Sequence, residues 1–188
     1  LWAGHGGGEN IIHVWNHGYA PGDGSDWAHS VNTFDEALSL ITPQRNEIWI
    51  HVTENILPES LTFSYQYPVI IRGGFTGIED SIGDRTFAEG INIEDAGNTN
   101  STVLSINNVN SVLIDSFVFK HGIERGLSKS GEGNLACVNC RFECNGAMFR
   151  TTAGSVADGR GANVSGTSST IAAFTNCVFA GNITADDD

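Results

Sequence analysis

Apolar positions along the chain follow two different periods. Phe34, Ala37, Leu38 and Ile41 recur at i, i+3, i+4 and i+7, the spacing of one helical face. Asn32 or Thr33 supplies an N-cap, Asp35 and Glu36 fall in the electropositive first turn, and Pro43 stops the pattern. A helix is therefore predicted over 34–41. Elsewhere the apolar runs are short and β-like, at 11–15, 47–52, 69–71, 91–93, 112–114 and 135–137. From residue 47 onward their starts recur about every 22 residues, a period that signals a solenoid.

The later repeats match position by position. Residues 114–119 (IDSFVF) align with 137–142 (CVNCRF) and with 174–179 (FTNCVF). Each copy holds an inward apolar residue, a corner Ser or Asn (Ser116, Asn139, Asn176), a small or aromatic residue and a fixed Phe (Phe119, Phe142, Phe179). Two copies add an Asn three residues after the Phe, at Asn145 and Asn182. In stacked parallel coils equivalent side chains lie over one another about 4.8 Å apart, which predicts an interior Phe ladder and left-handed backbone at the corners. Phe142 to Phe179 is longer than one repeat, so a degenerate coil or an inserted loop is expected within 150–170. The fold class is all-β: a parallel β-helix solenoid with an N-terminal capping helix, divided as a flexible segment 1–10, a strand and helix 11–46, and coils 47–188.

Charge narrows the partners. With 22 acidic and 9 basic residues the net charge is −13, which disfavours nucleic acid and anionic membrane surfaces. No run approaches the roughly 20 apolar residues of a membrane span. The acidic, Asn/Ser/Thr-rich composition fits a secreted or cell-surface protein. The chain begins at Leu1, as a mature product or a fragment would.

Three stretches carry a family resemblance. Gly24-Ser25-Asp26-Trp27-Ala28 with the 34–41 helix, Gly73-Gly74-Phe75-Thr76-Gly77-Ile78-Glu79 with Arg85, and Gly159-Arg160-Gly161-Ala162-Asn163-Val164 leading to residues 175–182 occur in order. Together they resemble the bacterial right-handed β-helix proteins of the pectin-lyase-like superfamily, including polymorphic outer-membrane-protein repeats. The glycine-alanine motif is degraded here, because Arg160 splits the glycines. The resemblance implies fold more than activity, since this architecture hosts adhesins, lyases and hydrolases alike.

Candidate chemistry is sparse. A hydrolase on this fold needs two or three converging carboxylates. The stacked segments offer Asp115 and Glu143, and a loop offers Glu79, Asp80, Asp84 and Arg85, which reads as a folded, salt-bridged loop. Asp23 and Asp26 have a spacing a calcium ion uses but lack the rest of a calcium loop. Cys137, Cys140, Cys144 and Cys177 do not match paired zinc knuckles and read as core fillers or disulfides, with three pairings open. Six scattered His read as surface or cap residues. Asn100, Asn163 and Asn182 head N-x-S/T sequons. Trp15, Tyr65 and Tyr67 are the aromatics available to a glycan platform. No cofactor is implied.

The ends suggest assembly. The last coil is expected to be open, because residues 180–188 contain no amphipathic helix. Leu1 and Trp2 on a glycine tether, or Ile11, Ile12, Val14 and Trp15 as a strand, are candidates to augment a neighbour's open coil head to tail. The functional expectation is a non-enzymatic structural or adhesin-like surface protein that self-associates or binds surface glycans. The alternatives are a polysaccharide lyase or glycoside hydrolase, or a carbohydrate-binding module, on the same fold.

Overall fold

The computed structural model describes residues 10–16, 22–52, 56–57, 60–62, 65, 67–85, 92–97, 99–107, 110–146, 160–165 and 170–182. Fourteen strands and one short α-helix are described within these residues. In chain order they are β1 (Ile11–Val14), α1 (Phe34–Ser39), β2 (Glu47–His51), β3 (Ser60–Thr62), β4 (Val69–Phe75), β5 (Asn92–Asp95), β6 (Thr102–Asn107), β7 (Ser111–Asp115), β8 (Phe117–Lys120), β9 (Arg125–Ser130), β10 (Asn134–Val138), β11 (Arg141–Glu143), β12 (Arg160–Val164), β13 (Ala172–Thr175) and β14 (Val178–Ala180). They form three sheets ordered β1-β2-β4-β7-β10-β13, β14-β11-β8-β5 and β12-β9-β6-β3, and every described strand pair in them is parallel. The chain is thus a parallel β-solenoid in which a full coil visits each sheet once, as β7, β8 and β9 do.

Register follows the repeat. Cys137 pairs with Ile114 and with Phe174, and Phe142 pairs with Phe119 and with Phe179. The Phe rings stack through the interior, Phe119 on Phe142 at 5.4 Å and Phe142 on Phe179 at 4.7 Å. Corner residues Ser116, Asn139 and Asn176 have φ of 66°, 53° and 52°, so one left-handed residue turns the chain from the first sheet to the second. A short polar side chain offsets the steric cost by bonding locally: Asn139 Nδ2 donates to Asp115 Oδ1 at 3.0 Å, and Asn176 Nδ2 to Asn139 Oδ1 at 2.6 Å. Glycine makes the ladder fit. Gly126 and Gly161 stack opposite it, and a Cβ on Gly161 would meet the Phe179 ring at 2.6 Å and Asn182 at 2.9 Å.

One expectation changes, and one open alternative is decided. The run at 91–93 is not a rung of the first sheet; β5 belongs to the second, and the first sheet passes directly from β4 to β7. The even spacing there hid one coil lengthened by a loop. In β5 Asn92 and Glu94 are buried while Ile93 is half-buried, because the two polar side chains bond backbone inside. Asn92 accepts from Gly74 N at 2.7 Å and donates to the His51 carbonyl at 3.1 Å. Of the two alternatives for the long last repeat, the inserted loop holds: β10 pairs directly with β13 and no degenerate coil intervenes. The extra length relative to β8 and β9, which residues 121–124 connect, lies in residues 144–159 between β11 and β12.

Helix α1 starts at Thr33 through a reciprocal capping box with Glu36 and buries Phe34 and Ala37. Those side chains join Ile12, Val14, Ile48 and Ile50 in the main core, so residues 11–46 share one core with the coils.

Candidate functional site

Asp115, Glu79, Asp84 and Arg85 are used structurally, and Glu143 pairs with Arg141. Asp115, 2% exposed, accepts from Arg85 at 2.7 Å and from Arg72 at 2.9 Å, and Arg72 also reaches Glu47 at 2.7 Å. Burial alone would raise the Asp115 carboxyl; hydrogen bonds from Arg85 and Asn139 outweigh it and hold the group below the usual carboxylate range. Glu79 folds back on its own loop, accepting from the backbone N–H groups of Thr76, Gly77 and Ile78. Asp84 accepts from the Ser81 amide and hydroxyl, and Arg85 also donates to the Gly73 carbonyl. These carboxylates serve separate turns and do not converge. Asp115→Asn, which leaves Arg85 buried without its counter-charge, is expected to lower the unfolding free energy by about 2 kcal/mol. Urea unfolding of the variant checks this, and a loss indistinguishable from zero would make the ion pair dispensable.

Asp23 and Asp26 act as turn residues. Asp23 Oδ1 accepts from Ser25 N at 3.0 Å, and Asp26 Oδ1 accepts from His29 N at 2.8 Å. Among the described residues no group of three or more His, Cys, Asp or Glu side chains is placed to hold a metal ion. All four cysteines are free thiols; Cys137 and Cys140 are buried, Cys177 is half-buried and Cys144 is exposed.

One histidine departs from the surface reading. His13 is 1% exposed, because both faces of β1 are covered. Its ring meets Trp27 edge-on at 4.6 Å and lies beside Trp49, while Nδ1 contacts the Gly24 carbonyl at 3.1 Å. Trp27, Trp49, Phe75 and Ile11 complete a second apolar cluster on the outer side of the first sheet.

The aromatic platform candidates are occupied internally. Trp15 stacks on His51 at 4.4 Å, and Tyr65 stacks on Tyr67 while its hydroxyl donates to the Leu38 carbonyl at 3.0 Å. Of the sequon asparagines, Asn163 is half-buried and accepts a long bond from Arg160, and the Asn100 carbonyl accepts from Ile123 N. Asn182 is a spoke of the interior ladder, donating to the Phe142 carbonyl at 2.8 Å and accepting from Asn145 Nδ2 at 2.9 Å.

The assembly candidates divide. Leu1 and Trp2 lie outside the described residues. Ile11, Ile12 and Val14 are buried in β1, whose outer edge is already bonded: Val31 N donates to the His13 carbonyl, and His13 N and Trp15 N donate to the Gly24 and Val31 carbonyls. The last described coil differs. Among the described residues the outer edges of β12, β13 and β14 carry no neighbouring strand. Ile171 is 63% exposed and Phe179 49%, whereas Phe142, one rung below in the same ladder, is 0% exposed. Residues 170–182 contain no charged side chain, although residues 111–146 carry Asp115, Lys120, Glu124, Arg125, Lys129, Glu132, Arg141 and Glu143. Edge strands are normally blunted with charges or proline; β12 carries Arg160, while β13 and β14 have neither.

Comparisons with protein-family models, with curated proteins and with solved structures give no significant match. The strongest feature of the site's own geometry is the uncharged stretch 170–182 of the last described coil.

Proposed function

We propose that this chain is a non-enzymatic, extracellular structural β-helix, wound right-handed and capped at its N-terminal end by α1 and residues 22–31, that self-associates through residues 170–182. The observation that carries this reading is Phe179, half exposed as the last described ring of a ladder whose other rings are fully buried, within a stretch, 170–182, that has no charged side chain. Covering such a patch removes apolar area from water at about 25 cal/mol per Å² and pairs a row of backbone N–H and C=O groups.

A second copy of the chain is the proposed occupant. Two molecules of net charge −13 repel as wholes, yet the two stretches 170–182 carry no charged side chain to set against each other. Since the outer edge of β1 is already bonded, the two open coils face each other around a two-fold axis, in place of a head-to-tail chain. An extracellular setting fits the acidic composition and the sequon at Asn163.

Sedimentation velocity over a concentration series tests the association. A dimer that grows with concentration is expected, with Phe179→Glu shifting it to monomer while leaving the circular dichroism unchanged. A wild-type protein that stays monomeric at high concentration would sink the reading, as would a dimer indifferent to Phe179→Glu.

A further inference from the structure

Three of the four thiols meet inside the last two coils. Cys137 lies on β10 and points inward, and Cys140 follows the left-handed corner at Asn139; both are fully buried. Cys177 occupies the Cys140 position of the next coil, where Val178 N donates to the Cys140 carbonyl at 2.9 Å. The Cys140 thiol interacts with those of both Cys137 and Cys177, and Cys177 Sγ also reaches the Cys137 carbonyl at 3.4 Å. Cys144 stands apart, exposed at the second corner.

We propose that Cys140 and Cys177 are a disulfide-forming pair that staples the terminal coil to the coil beneath it. Equivalent positions on adjacent parallel strands lie about 4.8 Å apart, inside the roughly 4.4–6.8 Å Cα separation a disulfide spans. Both side chains turn into the interior from matched positions, so a bond needs rotation about Cα–Cβ and little backbone movement. Cys137 also touches Cys140, but it belongs to the same coil; a bond between them closes a loop around Asn139 and couples nothing to the terminal rung. Access favours the same pair, since Cys177 is half-buried while Cys137 and Cys140 are sealed.

The oxidant is a disulfide, either a small molecule such as glutathione disulfide or a protein disulfide donor. The Cys177 thiolate attacks one sulfur, forming a mixed disulfide and releasing one thiol. The Cys140 thiolate then attacks Cys177 Sγ, forming the intramolecular bond and releasing the second thiol. Two protein thiols are oxidised, one external disulfide is reduced to two thiols, and the two protons pass to the thiols released. Contact with neighbouring thiols and burial push both groups well above the usual thiol range. Reaction therefore waits on opening of the terminal coil, and the bond once formed is shielded from reductant.

Equilibration of the full chain with glutathione disulfide, alkylation of remaining thiols and non-reducing tryptic mapping test this. The expected product joins the peptide ending at Arg141 to the peptide that begins at Gly161, leaves Cys144 alkylated, persists in Cys137→Ser and disappears in Cys140→Ser and in Cys177→Ser. Oxidation is also expected to raise the unfolding midpoint by on the order of 10 °C. A chain that keeps four alkylatable thiols, a link that survives Cys140→Ser, or one that involves Cys144 would overturn the proposal.

Discussion

Raising the pH from about 4.5 to about 8 is expected to reduce the stability of this protein by on the order of 4 kcal/mol through a single carboxyl group, that of Glu94. Glu94 occupies the Phe position of its coil, paired with Phe119, and is 4% exposed. Its Oε1 accepts from the backbone N–H groups of Ile56 and Leu57 at 3.2 and 3.3 Å, and among the described residues no ion pair joins it to a cation. Burial outweighs those two bonds and pushes the group up to about 8. Between its unfolded value near 4.5 and that folded value the unfolded chain is ionised while the folded chain keeps the proton. Folding must then take up a proton, so stability is greatest below the lower value and falls until the pH passes the higher one. Glu94→Gln retains an acceptor for the two amides and removes the titration. Urea unfolding of both proteins at pH 5 and pH 9 is expected to show equal stability in acid and a clear advantage for the variant in base. Parallel pH profiles for the two proteins would refute the assignment. The difference between proteins isolates Glu94 from His13, whose burial lowers its pKa, so that its contribution is lost as the pH falls below about 6.5.

The second large effect is expected at Phe142. Phe142→Ala removes a fully buried ring stacked on both sides, by Phe119 and by Phe179, and leaves a cavity that Gly126, Gly161 and the corner backbone cannot close. Such truncations cost about 3–5 kcal/mol. Phe179→Ala, half exposed at the end of the same stack, is expected to cost under about 1.5 kcal/mol in the monomer. Chemical unfolding of the two variants side by side separates them. Equal losses would mean that the two rings share one environment and that the terminal rung is not open.

Repeats were legible where the same side chain recurs at the same position. Phe119, Phe142 and Phe179, with corner residues Ser116, Asn139 and Asn176, fix register because stacked coils hold equivalent atoms in contact. Legibility failed where polar groups are interior. Asn92 and Glu94 face inward to bond loop backbone, and reading the run at 91–93 by its spacing alone placed that strand in the wrong sheet. Lys129 is a similar case. It stands inward in line with Ile106, 0% exposed, and its ammonium donates to the carbonyls of Ser130, Gly131 and Glu132. Nothing in the spacing of a lone lysine announces that arrangement. The absence of charge over 170–182 could be read from the sequence, but it became informative only once that stretch was placed beside the charged residues 111–146.

The single-residue passage from the first sheet to the second decides where these coils tolerate new sequence. One residue added beside Asn139 would turn every following side chain over, exchanging what faces the lumen for what faces solvent until the next turn absorbed the slip. The connection from β11 to β12 already carries residues 144–159 where its neighbour carries 121–124, and the Phe and Asn spokes on either side remain aligned. Epitopes, tags or fluorophores belong in that connection, where the winding counts rungs and not residues.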